Sequence, residues 1–271
     1  NNFNFLQSAV GDKKPYKLKS VSSEITKIKS NLPRVAAELA RKELGLKDDE
    51  PIGDIIGLME SAGIKIKLRK FDLKNFFGFS IAESDGGPAI MVNNNEDITI
   101  ERQIFTVAHE LGHLLLHPKA YDPSKTEEGK REESEADVFA GYFLMPQVAF
   151  EKKLKESYGL GFIDRILHIK RFFGVSYLAV LHRLADMGVA DYGKLMAKFM
   201  AIHKKKYGKS LNSRQEPYPL AKPDFVEDYL SSLVRKALDN DGITVSRAAE
   251  ILSVPLMDMR EIINSWADIA A

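Results

Sequence analysis

Cysteine is absent from the 271 residues. That removes disulfides, thiol nucleophiles and every sulfur-ligated metal site together, and it suits a reducing compartment. Net charge is nearly absent as well: 39 Lys and Arg against 38 Asp and Glu leave +1, a poor balance for a dedicated polyanion binder. Long apolar runs are missing. The longest stretch without a charged residue, Val138 to Phe150, has thirteen residues and includes Gly141, Pro146 and Gln147. A bilayer needs about twenty mostly apolar residues, so no membrane-spanning helix is expected. Residues 1–6 carry neither a basic region nor a signal-like cleavage site, and the missing initiator Met reads as the loss of something upstream. What is present is ordinary: 44% hydrophobic and 28% charged residues, enough to bury a core without staples.

Periodicity divides the chain. Residues 1–30 are lysine-rich and weakly patterned, and read as an arm or the tail of a lost upstream segment. Asn31 and Pro33 open a helix that stops at Gly45; a second starts near Pro51 and ends at Gly63. Ile64, Ile66 and Leu68 alternate with lysines as a half-buried strand does. Phe77, Phe79 and Ile81 repeat the alternation, and the Asp85-Gly86-Gly87 turn leads into a returning arm, Ala89–Val92. Pro88 at its start suggests an edge strand. Helices follow over about 99–116, 132–144, 147–157, 163–173 and 176–187. The prolines at 217, 219 and 223, with the lysines at 204–206, mark 201–223 as a linker. Residues 224–271 make a small helical unit. The expected class is α+β: a core over 31–200, helices with a small antiparallel sheet, followed by a C-terminal helical domain.

His109-Glu110-Leu111-Gly112-His113 carries the chemistry. Histidines four apart leave a helix on one face, close enough to share one zinc ion. The glutamate between them is placed to take a proton from water activated there. Two histidines also occur on plain solvated faces, but here Phe105, Gly112 and Leu116 share their side, opposite the stripe of Ile100, Ile104, Val107, Leu111 and Leu114. A second packing surface with a cleft follows. A hydrolytic zinc site needs a third protein ligand and an open position. His117 is about 12 Å from His109 along the helix and cannot share the ion. The next helix offers carboxylates. Glu133 and Asp137 align on one face, as a ligand and an acceptor for a histidine N–H, with Glu135 and Glu132 as reserves. His168, His182 and His203 stand alone and read as packing or surface residues.

The run from Ile104 to His117, then Glu133-Ser134-Glu135-Ala136-Asp137-Val138-Phe139-Ala140 and Leu144-Met145-Pro146, closely resembles the ImmA/IrrE family of metallo-endopeptidases. So do the hairpin from Gly78 to Asn93, and Val175-Ser176 with Arg183-Leu184 downstream. The resemblance spans about residues 31–190. It implies a zincin-like core in a cytoplasmic bacterial protease that cleaves a helix-turn-helix repressor. In that case His109, His113 and Glu133 bind zinc, with manganese as the alternative, and Glu110 is the catalytic base. Family members usually have Asn where this chain has Asp137.

The Ala89–Val92 arm, as an edge, is expected to hold substrate as an added strand. Tyr142, Tyr177 and His182 are candidates to stabilise the oxyanion. Two rival readings are a DNA-binding regulator and a zincin-fold protein that only sequesters its partner. Residues 243–266 look like a helix-turn-helix, but Asp258 and Glu261 outweigh Arg260 on its second helix, so direct nucleic-acid binding is not expected.

Overall fold

The computed structural model describes residues 2–118, 129–212, 215–221 and 229–268. Among these the chain runs through α1 (Asn2–Val10), α2 (Lys19–Ile25), α3 (Leu32–Glu43), α4 (Ile55–Ser61), β1 (Lys65–Arg69), β2 (Gly78–Ile81) and β3 (Ala89–Asn93). Then come α5 (Ile100–Leu116), α6 (Lys130–Leu144), α7 (Gln147–Glu156), α8 (Phe162–Phe173), α9 (Tyr177–Asp186) and α10 (Tyr192–Tyr207). The last helices are α11 (Tyr229–Asp239), α12 (Val245–Leu252) and α13 (Leu256–Asp268). No helix among the described residues is long and apolar enough to cross a membrane.

The axis of the core is α5. The Thr99 hydroxyl accepts from the Arg102 N–H and caps its first turn. Val107, Ala108, Leu111 and Leu115 are buried along its length, against α6 and α3 on one side and the sheet on the other. Two glycines set the spacing. A Cβ on Gly112 would lie 3.1 Å from the Phe139 ring and 3.3 Å from Ala136 Cα, so α5 and α6 approach almost backbone to backbone. A Cβ on Gly78 would lie 2.6 Å from both Met91 O and Thr106 Cγ2, which presses β2 onto α5.

The sheet is mixed, not purely antiparallel as expected. Its order is β1-β3-β2. The hairpin partner β2 runs antiparallel to β3, with Ser80 opposite Ile90, whereas β1 runs parallel to β3, with Ile66 opposite Ile90. Alternation alone does not encode strand direction. The strand β3 is therefore central and not an edge. Pro88 sits one residue before it, where a missing N–H costs no ladder bond. The edges are β1 and β2.

Three further expectations change. The second helix starts at Asp54, whose carboxylate caps Gly57 N at 2.9 Å, and not near Pro51. Residues 1–30 hold two helices: Leu18, Val21 and Ile25 enter the main core, while Leu6 enters a second core with Tyr229, Leu230, Leu233, Val234, Ile251 and Met259. The C-terminal unit thus contains α1, tied by Gln7 Nε2 to Tyr229 Oη at 3.2 Å and by Tyr229 Oη to Asp12 O at 2.9 Å. Finally, α10 continues to Tyr207 and carries Lys204–Lys206 in its last turn, ahead of a left-handed Gly208. Pro217 and Pro219 beyond it belong to a strap that folds back on the core, and Pro223 lies outside the described residues. Glu101 on α5 and Lys170 on α8 are both buried and pair at 2.6 Å. Lys170 Nζ also donates to Tyr218 O, and Glu101 accepts from Leu220 N. Glu216 accepts from Tyr177 N at 2.9 Å and lies 3.5 Å from Lys170.

Candidate metal centre

The pitch of α5 brings His109 and His113 side by side, with their Nε2 atoms 3.0 Å apart. Across the close α5–α6 contact, Glu133 presents Oε2 at 3.5 Å from His109 Nε2 and Oε1 at 3.4 Å from His113 Nε2. One donor atom from each of the three lies within 4.8 Å of the others. A tetrahedral zinc ion with bonds near 2.0–2.1 Å needs donors about 3.3 Å apart; the two Nε2 atoms are 3.0 Å apart, and a different Glu133 oxygen faces each of them at 3.4–3.5 Å.

Outward contacts decide which nitrogens face inward. Asp137 Oδ1 lies 2.9 Å from His109 Nδ1. His113 Nδ1 lies 3.1 Å from His117 Nδ1, and His117 Nε2 lies 3.0 Å from Glu135 Oε2. A carboxylate only accepts, so His117 donates from Nε2, accepts at Nδ1, and takes the proton of His113 Nδ1. By the same logic His109 donates from Nδ1 to Asp137. Both Nε2 atoms are then bare and face each other at 3.0 Å. Two lone pairs at that distance need a proton or a metal ion between them.

The electrostatics differ between the two rings. Burial, with His109 beside it, pushes the His113 pKa down to about 4, which leaves the neutral, ligating form at pH 7. Burial opposes charge on His109 too, but Asp137, Glu110 and Glu133 outweigh it and hold its pKa above the usual histidine value. Against the cost of partial burial, Arg131 and His117 keep the Glu135 carboxyl below the usual range.

Glu110 is nearly buried beside this group, and Ser80 on β2 donates its hydroxyl to Glu110 Oε2 at 2.7 Å. The two reserve carboxylates are committed elsewhere: Glu135 to His117 and Arg131, Glu132 to the Gly129 N–H at the start of α6. Of the three oxyanion candidates, Tyr177 is fully buried and stacked on Phe199 at 4.6 Å, so it cannot meet a substrate. Tyr142 packs its ring under Arg183, whose Cζ is 3.7 Å from the centroid. Only His182, stacked on Tyr192 at 3.8 Å, borders the cavity beside Asp137.

That cavity has a volume of about 620 Å³ and runs between α5, α6, α9 and the loops before β2 and α5. Sequence reasoning missed Ser80 and the partner role of His117. The first acts across the fold. The His113–His117 spacing repeats the interval of four and offered a signal.

Half-buried His109, buried His113, a facing carboxylate and a neighbouring glutamate thus come together on an α+β scaffold of the kind a zincin-like core has. Residues 59–185 match the family model described as Peptidase_M78, IrrE N-terminal-like domain. No curated protein matches the chain. Among solved structures, a Mycobacterium tuberculosis transcriptional regulator is similar at 20% identity and a TM-score of 0.41, over 62% of this chain and 52% of that one. The chain thus spans about half the length of that regulator.

Proposed function

We propose that this protein is a zinc-dependent endopeptidase that cuts a partner transcriptional repressor in the cytoplasm. The observation that supports it most is the set of three residues whose donor atoms lie within 4.8 Å of one another, with Glu110 beside it. His109, His113 and Glu133 would hold the ion, zinc or manganese, and Asp137 and His117 would orient the two imidazoles. A cation bound there acidifies a water molecule and polarises the scissile carbonyl. Glu110, oriented by Ser80, takes the proton of that water and delivers it to the leaving nitrogen. The free edge beside the centre belongs to β2, so substrate would add to Gly78–Ile81 and not to the Ala89–Val92 arm.

The chain incubated with zinc or manganese and the helix-turn-helix repressor encoded beside its gene should yield two fragments, located by mass mapping. Glu110→Gln should retain metal and partner while losing cleavage by at least 100-fold. Intact repressor with the wild-type protein, alongside stable binding, favours sequestration instead.

A further inference from the structure

Next to the metal centre, Arg102 is an exposed cation held in place on two aromatic rings. Its guanidinium lies over the Phe77 ring at 3.9 Å and 5.7 Å from the Phe105 centroid, an arrangement that fixes its plane. Among the described residues no carboxylate or carbonyl hydrogen-bonds to it. Asp137 and Glu133 are close enough to act on it electrostatically, but both are engaged at the histidines.

The surroundings are built to receive a chain segment. Arg102 and Phe105 wall the 620 Å³ cavity together with Leu73, Phe76, Phe77 and Leu178. The loop that carries Phe76 and Phe77 is pinned by buried Asn93, which accepts from Phe71 N and Asn95 N and donates to Phe71 O and Phe76 O. The cavity is therefore preformed, within the range of ligand sites. It adjoins the centre: Asp137 lines it, Phe105 lies 6.4 Å from the His109 ring, and Phe77 directly precedes β2, whose Ser80 touches Glu110. A peptide added to the edge of β2 past Glu110 runs on into it.

We infer that this cavity is a substrate subsite that selects one acidic side chain set among apolar ones, with Arg102 as its anion receptor. The carboxylate forms a planar paired bond with the guanidinium, and the flanking apolar side chains cover Phe76, Phe77, Leu73 and Leu178. The exposed rim carries Asp72, Asp97 and Asp186. These repel a run of acids, so a single acid in an apolar stretch is preferred to an acidic tract.

This assignment rests on the endopeptidase reading for its purpose but not for its test. Blocked heptapeptides of leucine and alanine, with one Glu, Gln or Lys at each position in turn, are titrated against zinc-loaded Glu110→Gln protein by calorimetry. The best Glu peptide should bind at least tenfold more tightly than its Gln counterpart. Adding Arg102→Gln should erase that preference, and Arg102→Glu should reverse it in favour of Lys. Binding that ignores the charge, binding by no peptide, or a preference that survives Arg102→Gln overturns the inference. Cleavage of the same peptides by wild-type protein is scored separately: charge-selective binding without cleavage sinks the endopeptidase reading and leaves the subsite standing.

Discussion

Replacing Glu216 with Gln should change how stability depends on pH, by an amount the strap geometry sets. In the folded chain Glu216 is enclosed between α8, α9 and α5. Burial pushes its pKa up to about 7, the Tyr177 N–H and Lys170 pull it down, and Glu101 pushes it up again. Lys170 is already neutralised by Glu101 at 2.6 Å, so a second carboxylate gains little from the same cation. A carboxyl with a raised folded pKa binds its proton more tightly when folded than when unfolded. Its contribution is fully present below the unfolded value of 4.5 and is lost as pH rises through about 7. At about 1.4 kcal/mol per pKa unit, the span from 4.5 to about 7 corresponds to a loss on the order of 3 kcal/mol. Gln keeps an acceptor for Tyr177 N and carries no charge, so Glu216→Gln should lack this loss. Urea unfolding in EDTA at pH 5 and pH 8 measures it, with the metal removed so that its own pH dependence is out of the comparison. Near pH 5 the two proteins should agree within about 1 kcal/mol; at pH 8 the variant should be the more stable by roughly 2–3 kcal/mol. An equal difference at both values, of either sign, would refute the reasoning.

Two other outcomes follow from the centre. His117→Phe deprives His113 Nδ1 of its acceptor and should weaken zinc binding about 10- to 100-fold in competition with a chelator, with His117→Asn recovering part of the loss because its side-chain oxygen sits where Nδ1 was. Gly112→Ala inserts a methyl group 3.1 Å from Phe139. It should cost about 1–3 kcal/mol in urea unfolding and, by widening the α5–α6 gap, lower zinc affinity as well.

What sequence could reveal here was whatever depends on local geometry. The convergence of His109 and His113 follows from helix pitch alone, and Glu133 and Asp137 share a face of α6 for the same reason. The contacts that complete the arrangement cross the fold. Ser80 reaches Glu110 only because Gly78 lets β2 press against α5, and alternation in a strand says nothing of that approach. The parallel pairing of β1 with β3 is equally invisible, since both directions have period two. Glu216 looked like part of a polar, proline-rich connector, because its buried partners Lys170 and Tyr177 lie well upstream in the chain. The arm at 1–30 misled in the same way: Phe3, Leu6 and Val10 pack against partners in α11 to α13, more than two hundred residues downstream.

The union of α1 with α11 has a consequence for biosynthesis. Leu6 leaves the ribosome more than two hundred residues before Leu233, a wait on the order of tens of seconds at the usual rates of translation. Throughout that interval a greasy helix has no lasting berth, and chaperones or a nascent partner have their chance to hold it. Closure of this bundle therefore waits until α11 to α13 have been made.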